Sequence, residues 1–111
     1  MDIIEASELV NQYLQVEQKK MNEFGSALPD YVCPNIKLVI DDRHTETHGF
    51  GWVFYFNSEK FIETEDWEHA LAGNAPIIVD KSNSKLVHTG TLHPIEFYVS
   101  NYVKNGDPHQ E

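Results

Sequence analysis

Five side chains able to hold a metal or move a proton fall within eight residues: Asp41, Asp42, His44, Glu46 and His48. On an extended backbone, residues two apart share a face. Asp42, His44, Glu46 and His48 would then offer two carboxylates and two imidazoles to a divalent cation. The spacing matches no established metal site, and polar turns collect the same residue types without any chemistry. The stretch Asp42 to His48 holds no apolar residue, so it reads as a hairpin connection or the exposed end of two strands. Cys33 with a distant His69 or His88 would make a thiol nucleophile and its base. Cys33 lies between Val32 and Pro34, with no basic neighbour or helix start to lower its pKa, so an inert thiol is expected. A serine-hydrolase elbow, a phosphate loop and a dinucleotide fingerprint are all missing. The expectation is a protein without catalytic residues, metal or cofactor.

A second cluster has a different character. From Glu59 to Glu68 the segment EKFIETEDWE interrupts its carboxylates with Phe61, Ile62 and Trp67. Carboxylates draw in a basic partner over distance, and an aromatic side chain among them can anchor in a pocket on that partner. Glu63, Glu65, Asp66, Trp67 and Glu68 are therefore the leading candidates for a protein interface, followed by Asp42, His44 and Glu46. The competing reading is a solvated loop whose Trp67 folds back to cap the sheet.

The elements that must position these residues follow from periodicity. Ile3, Ala6, Val10, Tyr13, Leu14 and Met21 recur at spacings of three and four, which predicts a helix from Ile3 to about Phe24 within residues 1–24. Gly25, Ser26 and Pro29 end it, and a linker runs to Pro34. Residues 36–91 read as sheet. Ile36 to Asp41 alternates as a first strand, with Ile36, Leu38 and Ile40 on one face. Gly49 to Asn57 is apolar on both faces and suits a central strand. Ser58 to Ala72 reads as a loop with one short helical turn. Pro76 to Lys81 and Lys85 to Thr91 form two strands joined by Ser82, Asn83 and Ser84. Residues 94–104 make a second helix. Pro94 stands at its start, Glu96 is in the first turn, Ile95, Tyr98, Val99, Tyr102 and Val103 form one stripe, and Gly106 is its stop. Residues 105–111 form a polar tail, expected to fray from Asp107 onward.

The whole predicts an α+β domain: an antiparallel sheet of about four strands, with the N-terminal and C-terminal helices packed on one face and the other face left for a partner. At 111 residues there is room for one core only. The 18 acidic and 8 basic side chains give a formal charge of -10, which repels nucleic-acid phosphates and favours a basic partner. One cysteine allows no internal disulfide. Asp2, Glu5 and Glu8 stand where a signal peptide would carry basic residues, and no apolar run approaches a membrane span, so a cytoplasmic protein is expected.

Gly51 and Trp52 in GWVFYF, Glu63, Thr64 and Asp66 in ETED, and the block LAGNAPIIVDK from Leu71 to Lys81, followed by HTGT and Pro94, resemble the immunity protein 35 family, also called YrhB-like. The likeness covers roughly Gly49 to Lys104. The family consists of small α+β proteins described as immunity proteins of bacterial polymorphic toxin systems, with a YrhB branch regarded as chaperone-like. The resemblance implies a binding role toward a cognate toxin. Its characteristic positions here are Gly51, Trp52, Gly73, Asn74, Pro76, Asp80, Gly90 and Pro94, all of which read as architecture. In relatives the turn after Asp80 often holds a glycine where this chain has Asn83 and Ser84.

Overall fold

The computed structural model describes residues 1–26, 37–66 and 74–110, and of 21–26 the backbone alone. Pro29, Cys33, Pro34, Ile36, Trp67, Glu68, His69 and Gly73 lie outside the described residues. The chain folds as α1 (Ile3–Ser26), β1 (Leu38–Ile40), β2 (Glu46–His48), β3 (Gly51–Phe54), β4 (Phe56–Ser58), α2 (Glu59–Thr64), β5 (Ile77–Asp80), β6 (Lys85–His88) and α3 (Ile95–Asn105). It is an α+β fold, with helices near both ends of the chain.

The strands form two antiparallel sheets rather than one. β2, β3, β5 and β6 lie side by side in that order, and β1 pairs with β4. The apolar run Gly49 to Asn57, expected as one central strand, is divided at Tyr55. Its first part joins the larger sheet and its second part joins β1. In the larger sheet Trp52 stands opposite Thr47 and Val79, and Val53 opposite Glu46 and Ile78. Gly51 permits that close pairing, because a Cβ there would sit 2.0 Å from the Val79 carbonyl oxygen.

The two long helices cover opposite faces, correcting the expectation that both lie on one. Ala6, Val10 and Leu14 of α1 bury against Leu38, Trp52, Phe54, Ile77 and Val79. Val53 and Ile78 point the other way and meet Tyr102, with Ile95 and Val99 of α3 packed around them. The alternation of strand side chains makes this arrangement necessary. A strand apolar on both faces needs a cover on both, and the chain provides it from its own ends. The sheet face expected to await a partner is thus occupied by α3.

Local chemistry sets the helix limits. The Asp2 carboxylate accepts from the Glu5 N–H at 2.9 Å, capping α1. Pro94 is the N-cap of α3, with Glu96 in its first turn and Lys104 in its last, and Gly106 closes the helix at φ 74. Val103, expected in the buried stripe, is 67% exposed, while Asn101 is buried in its place. Asn101 donates to the Pro108 carbonyl at 3.1 Å, and His109 bonds the His88 carbonyl at 3.0 Å. The tail from Asp107 to Gln110 therefore folds back onto the body rather than fraying.

Candidate protein-binding site

Both segments singled out for a partner converge through Arg43, the only arginine of the chain. β1 delivers Asp41 to a buried position, where its N–H donates to the Tyr55 carbonyl at 2.8 Å. The tight turn that follows brings Arg43 back onto the Asp41 carboxylate. Its backbone N–H reaches Oδ1 at 3.3 Å, its Nε reaches the same oxygen at 3.1 Å, and its Nη2 reaches Oδ2 at 3.4 Å. Nη1 then donates to Glu65 Oε1 at 3.0 Å. Burial alone would raise the Asp41 pKa. The hydrogen bonds from Arg43 and the charges of His44 and Arg43 outweigh it, and the carboxyl is held below its usual range.

Glu65 reaches Arg43 because of how α2 ends. Ser58 caps the start of α2 by accepting from the Phe61 N–H at 3.1 Å. At the other end Glu65 takes a left-handed conformation, φ 57 and ψ 22, and its N–H closes on the Phe61 carbonyl. That conformation costs an L-residue about 1–2 kcal/mol, so a glycine would sit there more easily than a glutamate. Asp41, Arg43, His44, Phe61 and Glu65 together line an open depression of about 400 Å³. Glu63, Glu65 and Asp66 are exposed. Trp67 and Glu68, which complete the predicted segment, lie outside the described residues.

The next strand extends the face. Glu46 accepts from the Tyr55 hydroxyl at 2.9 Å through Oε2 and meets His48 Nε2 at 2.9 Å through Oε1. The His48 ring stacks on Phe50, and the His44 ring meets the edge of Tyr55. Burial, the Glu46 hydrogen bond, and the charges of Glu46 and Glu96 push the Tyr55 phenol above its ordinary range, so it stays a neutral donor. Asp42 takes no part in this face. It lines a separate depression with Ile4, Ser7, Glu8, Asn11, Val39 and Ile40, between α1 and β1.

The extended arrangement that would align Asp42, His44, Glu46 and His48 does not occur. Asp42 and His44 lie in a turn, whereas Glu46 and His48 lie on β2 and bond each other. Among the described residues no three His, Cys, Asp or Glu side chains are gathered as metal ligands. Cys33 and His69 lie outside the described residues. Arg43 and Tyr55 are the members of the face that the sequence reading passed over. A lone arginine amid carboxylates was the available sign, since its fork favours bridging two of them.

The architectural positions make specific contacts. Trp52 is 8% exposed in the core under α1. Asn74 donates to the Phe56 carbonyl at 2.7 Å, joining the strand β4 to the segment before β5. The Pro76 carbonyl accepts the Thr89 hydroxyl at 2.6 Å. Asp80 accepts from the Ser82 N–H and hydroxyl at 2.8 and 2.6 Å and from the Tyr102 hydroxyl, so it ties the β5–β6 turn to α3. A Cβ on Gly90 would lie 2.6 Å from the Tyr98 hydroxyl. In the β5–β6 turn Ser84 adopts φ 58, a conformation that glycine takes more readily.

A curated relative, the uncharacterized protein YrhB of Escherichia coli (strain K12), is 44% identical over 52 residues, or 47% of this chain and 55% of that protein. The match thus spans about half the length of that relative. No solved structure matches the chain. The family model for immunity protein 35 matches residues 5–110, and over that span the chain belongs to the immunity protein 35 family.

Proposed function

We propose that this chain is a cytoplasmic immunity protein that binds a cognate bacterial toxin and neutralises it by covering the toxin's active site or substrate entrance. The observation that carries the reading is the Arg43 bridge. It joins the turn after β1 to the end of α2, making one acidic face from two segments far apart in sequence. With a formal charge of -10, the chain attracts a basic partner from a distance, and the face offers Glu46, Glu63, Glu65 and Asp66 for the encounter. Membership of an immunity-protein family supports a binding role over a catalytic one. The reading requires neither nucleic acid nor a membrane nor a cofactor. Among the described residues no helix is long and apolar enough to cross a membrane.

A chaperone-like role would use an open aromatic sheet face to hold unfolded chains. α1 and α3 cover both faces of the larger sheet, which favours one defined partner. The deciding experiment mixes the purified chain with the toxin domain encoded in the adjacent reading frame. A 1:1 complex that abolishes the toxin's activity is the expected result. Suppression of aggregation across unrelated proteins, with no defined complex, would replace this reading with the chaperone one.

A further inference from the structure

We infer that the loop from Thr89 to Pro94, with the first turn of α3, is a second docking point for the same toxin, taking an aliphatic or aromatic side chain that projects from a basic part of its surface. The inference rests on the immunity reading and adds to it where the apolar anchor sits. Leu92 is 85% exposed, the highest value among the exposed large apolar side chains of the described residues. Beside it lies an open depression of about 440 Å³, lined by Gly90, Thr91, His93, Phe97, Tyr98 and His109 as well as Leu92. The walls are mainly rings, the surface that interface anchors favour.

The loop that presents Leu92 is already held in place. Tyr98 is 3% exposed, and its hydroxyl accepts from the His93 N–H at 3.2 Å. The His93 ring lies 3.9 Å from that of Phe97, and the His109 ring packs against Tyr98. Gly90 fits because a Cβ would strike the Tyr98 hydroxyl. A partner thus does not have to order this loop, and the usual entropic cost of ordering it on association is small.

Charge selects the occupant. Between Thr89 and Val103 there is no lysine or arginine, whereas Glu96 is exposed in the first turn of α3 and Asp107 is exposed next to His109. The charge of Glu96 also acts on Tyr55, whose hydroxyl bonds Glu46. An apolar knob flanked by lysine or arginine satisfies both the depression and its rim.

The test uses the full chain and the toxin domain from the adjacent reading frame, with association and dissociation rates measured separately. Leu92→Ala should raise the dissociation rate about tenfold or more, the scale of a lost anchor, with the association rate and melting temperature unchanged. Leu92→Met keeps an apolar side chain of similar volume and should stay close to wild type. An unchanged dissociation rate for folded Leu92→Ala overturns the docking point and leaves the immunity reading standing. Failure of the wild-type chain to bind at all overturns the immunity reading, and the docking point with it.

Discussion

The two covers of the larger sheet are built by different means. Under α1 the contact is almost wholly hydrocarbon: Ala6, Val10, Leu14, Trp52, Phe54, Ile77 and Val79, each 8% exposed or less. Under α3 the buried set is smaller, Val53, Ile78 and Tyr102, and polar groups at its margins add fixed attachments. Tyr102 bonds Asp80, Tyr98 bonds His93, Asn101 bonds Pro108, and Tyr55 bonds Glu46. Hydrocarbon burial is strong but non-directional, whereas hydrogen bonds add little net stability and fix geometry. The α1 side therefore holds the fold together, and the α3 side fixes the Leu92 loop and, through Tyr55, the Glu46 end of the acidic face. The Leu92 loop adjoins the side with the polar attachments, and the acidic face reaches that side through the Glu46–Tyr55 bond.

The largest test of this division is Trp52→Ala. Emptying a large aromatic site under α1 should cost about 3 to 5 kcal/mol in denaturant unfolding. A folded Trp52→Ala protein with an unchanged melting curve and lost partner binding would make Trp52 an interface anchor instead, and would move function to the α1 side.

A smaller effect is expected on the α3 side. Tyr102→Phe keeps the ring and removes the hydroxyl that donates to Asp80, so unfolding should become easier by about 1 to 2 kcal/mol. A cost as large as that of Trp52→Ala would erase the contrast between the covers. The same pair should contribute to pH dependence. Hydrogen bonds from Ser82 and Tyr102 lower the Asp80 pKa against the opposing effect of burial. A carboxyl lowered in the folded state contributes stability that is present above its unfolded value, about 3.9, and is lost as pH falls through the folded value. Asp80→Asn should flatten that part of the acid limb, leaving the contribution of Asp41, whose pKa is also lowered. At high pH the order reverses. Tyr102 is pushed up to about 12, so its contribution is present below an unfolded value of about 10 and is lost as pH rises through about 12. Unfolding of both variants followed across pH would separate the two limbs.

What the sequence made legible was local. α3 could be bounded from Pro94, Glu96 and Gly106, each acting on its own end of one helix, and the hairpin of β5 and β6 from the turn residues Ser82, Asn83 and Ser84 between them. The two-sided cover was also written in Trp52, Val53 and Phe54, but reading it required asking what lies over each face. The division of the run at Tyr55 has no such local sign, because both halves keep the same alternation. The acidic face was legible as two lists of carboxylates. Their union depends on Arg43, 22 residues from Glu65, and on a left-handed glutamate that propensity would not place there. The folded tail depends on Asn101 meeting the Pro108 carbonyl, a contact that a polar composition conceals.

The smallest expected effect on stability is also the most informative about function. Glu65 lies on the acidic face with 71% of its side chain exposed, and its pair with Arg43 is worth about 0 to 1 kcal/mol at such a surface. Reversing Glu65 and Asp66 to Lys should therefore leave the fold intact, as a melting curve would verify. If the face steers a basic toxin, the reversal should slow association and flatten its dependence on salt, because screening within about 10 Å at 0.1 M acts on long-range attraction. Dissociation should change less, since charges at a rim act mainly on encounter. Trp67→Ala should show the opposite pattern if that indole is a desolvated anchor, with faster dissociation and little change in approach. Rates measured at low and high salt distinguish these cases. Unchanged association for the folded double reversal would remove the Arg43-joined face from the encounter, and the recognition surface would then have to be sought at the Leu92 loop, on the side of the sheet that α3 holds.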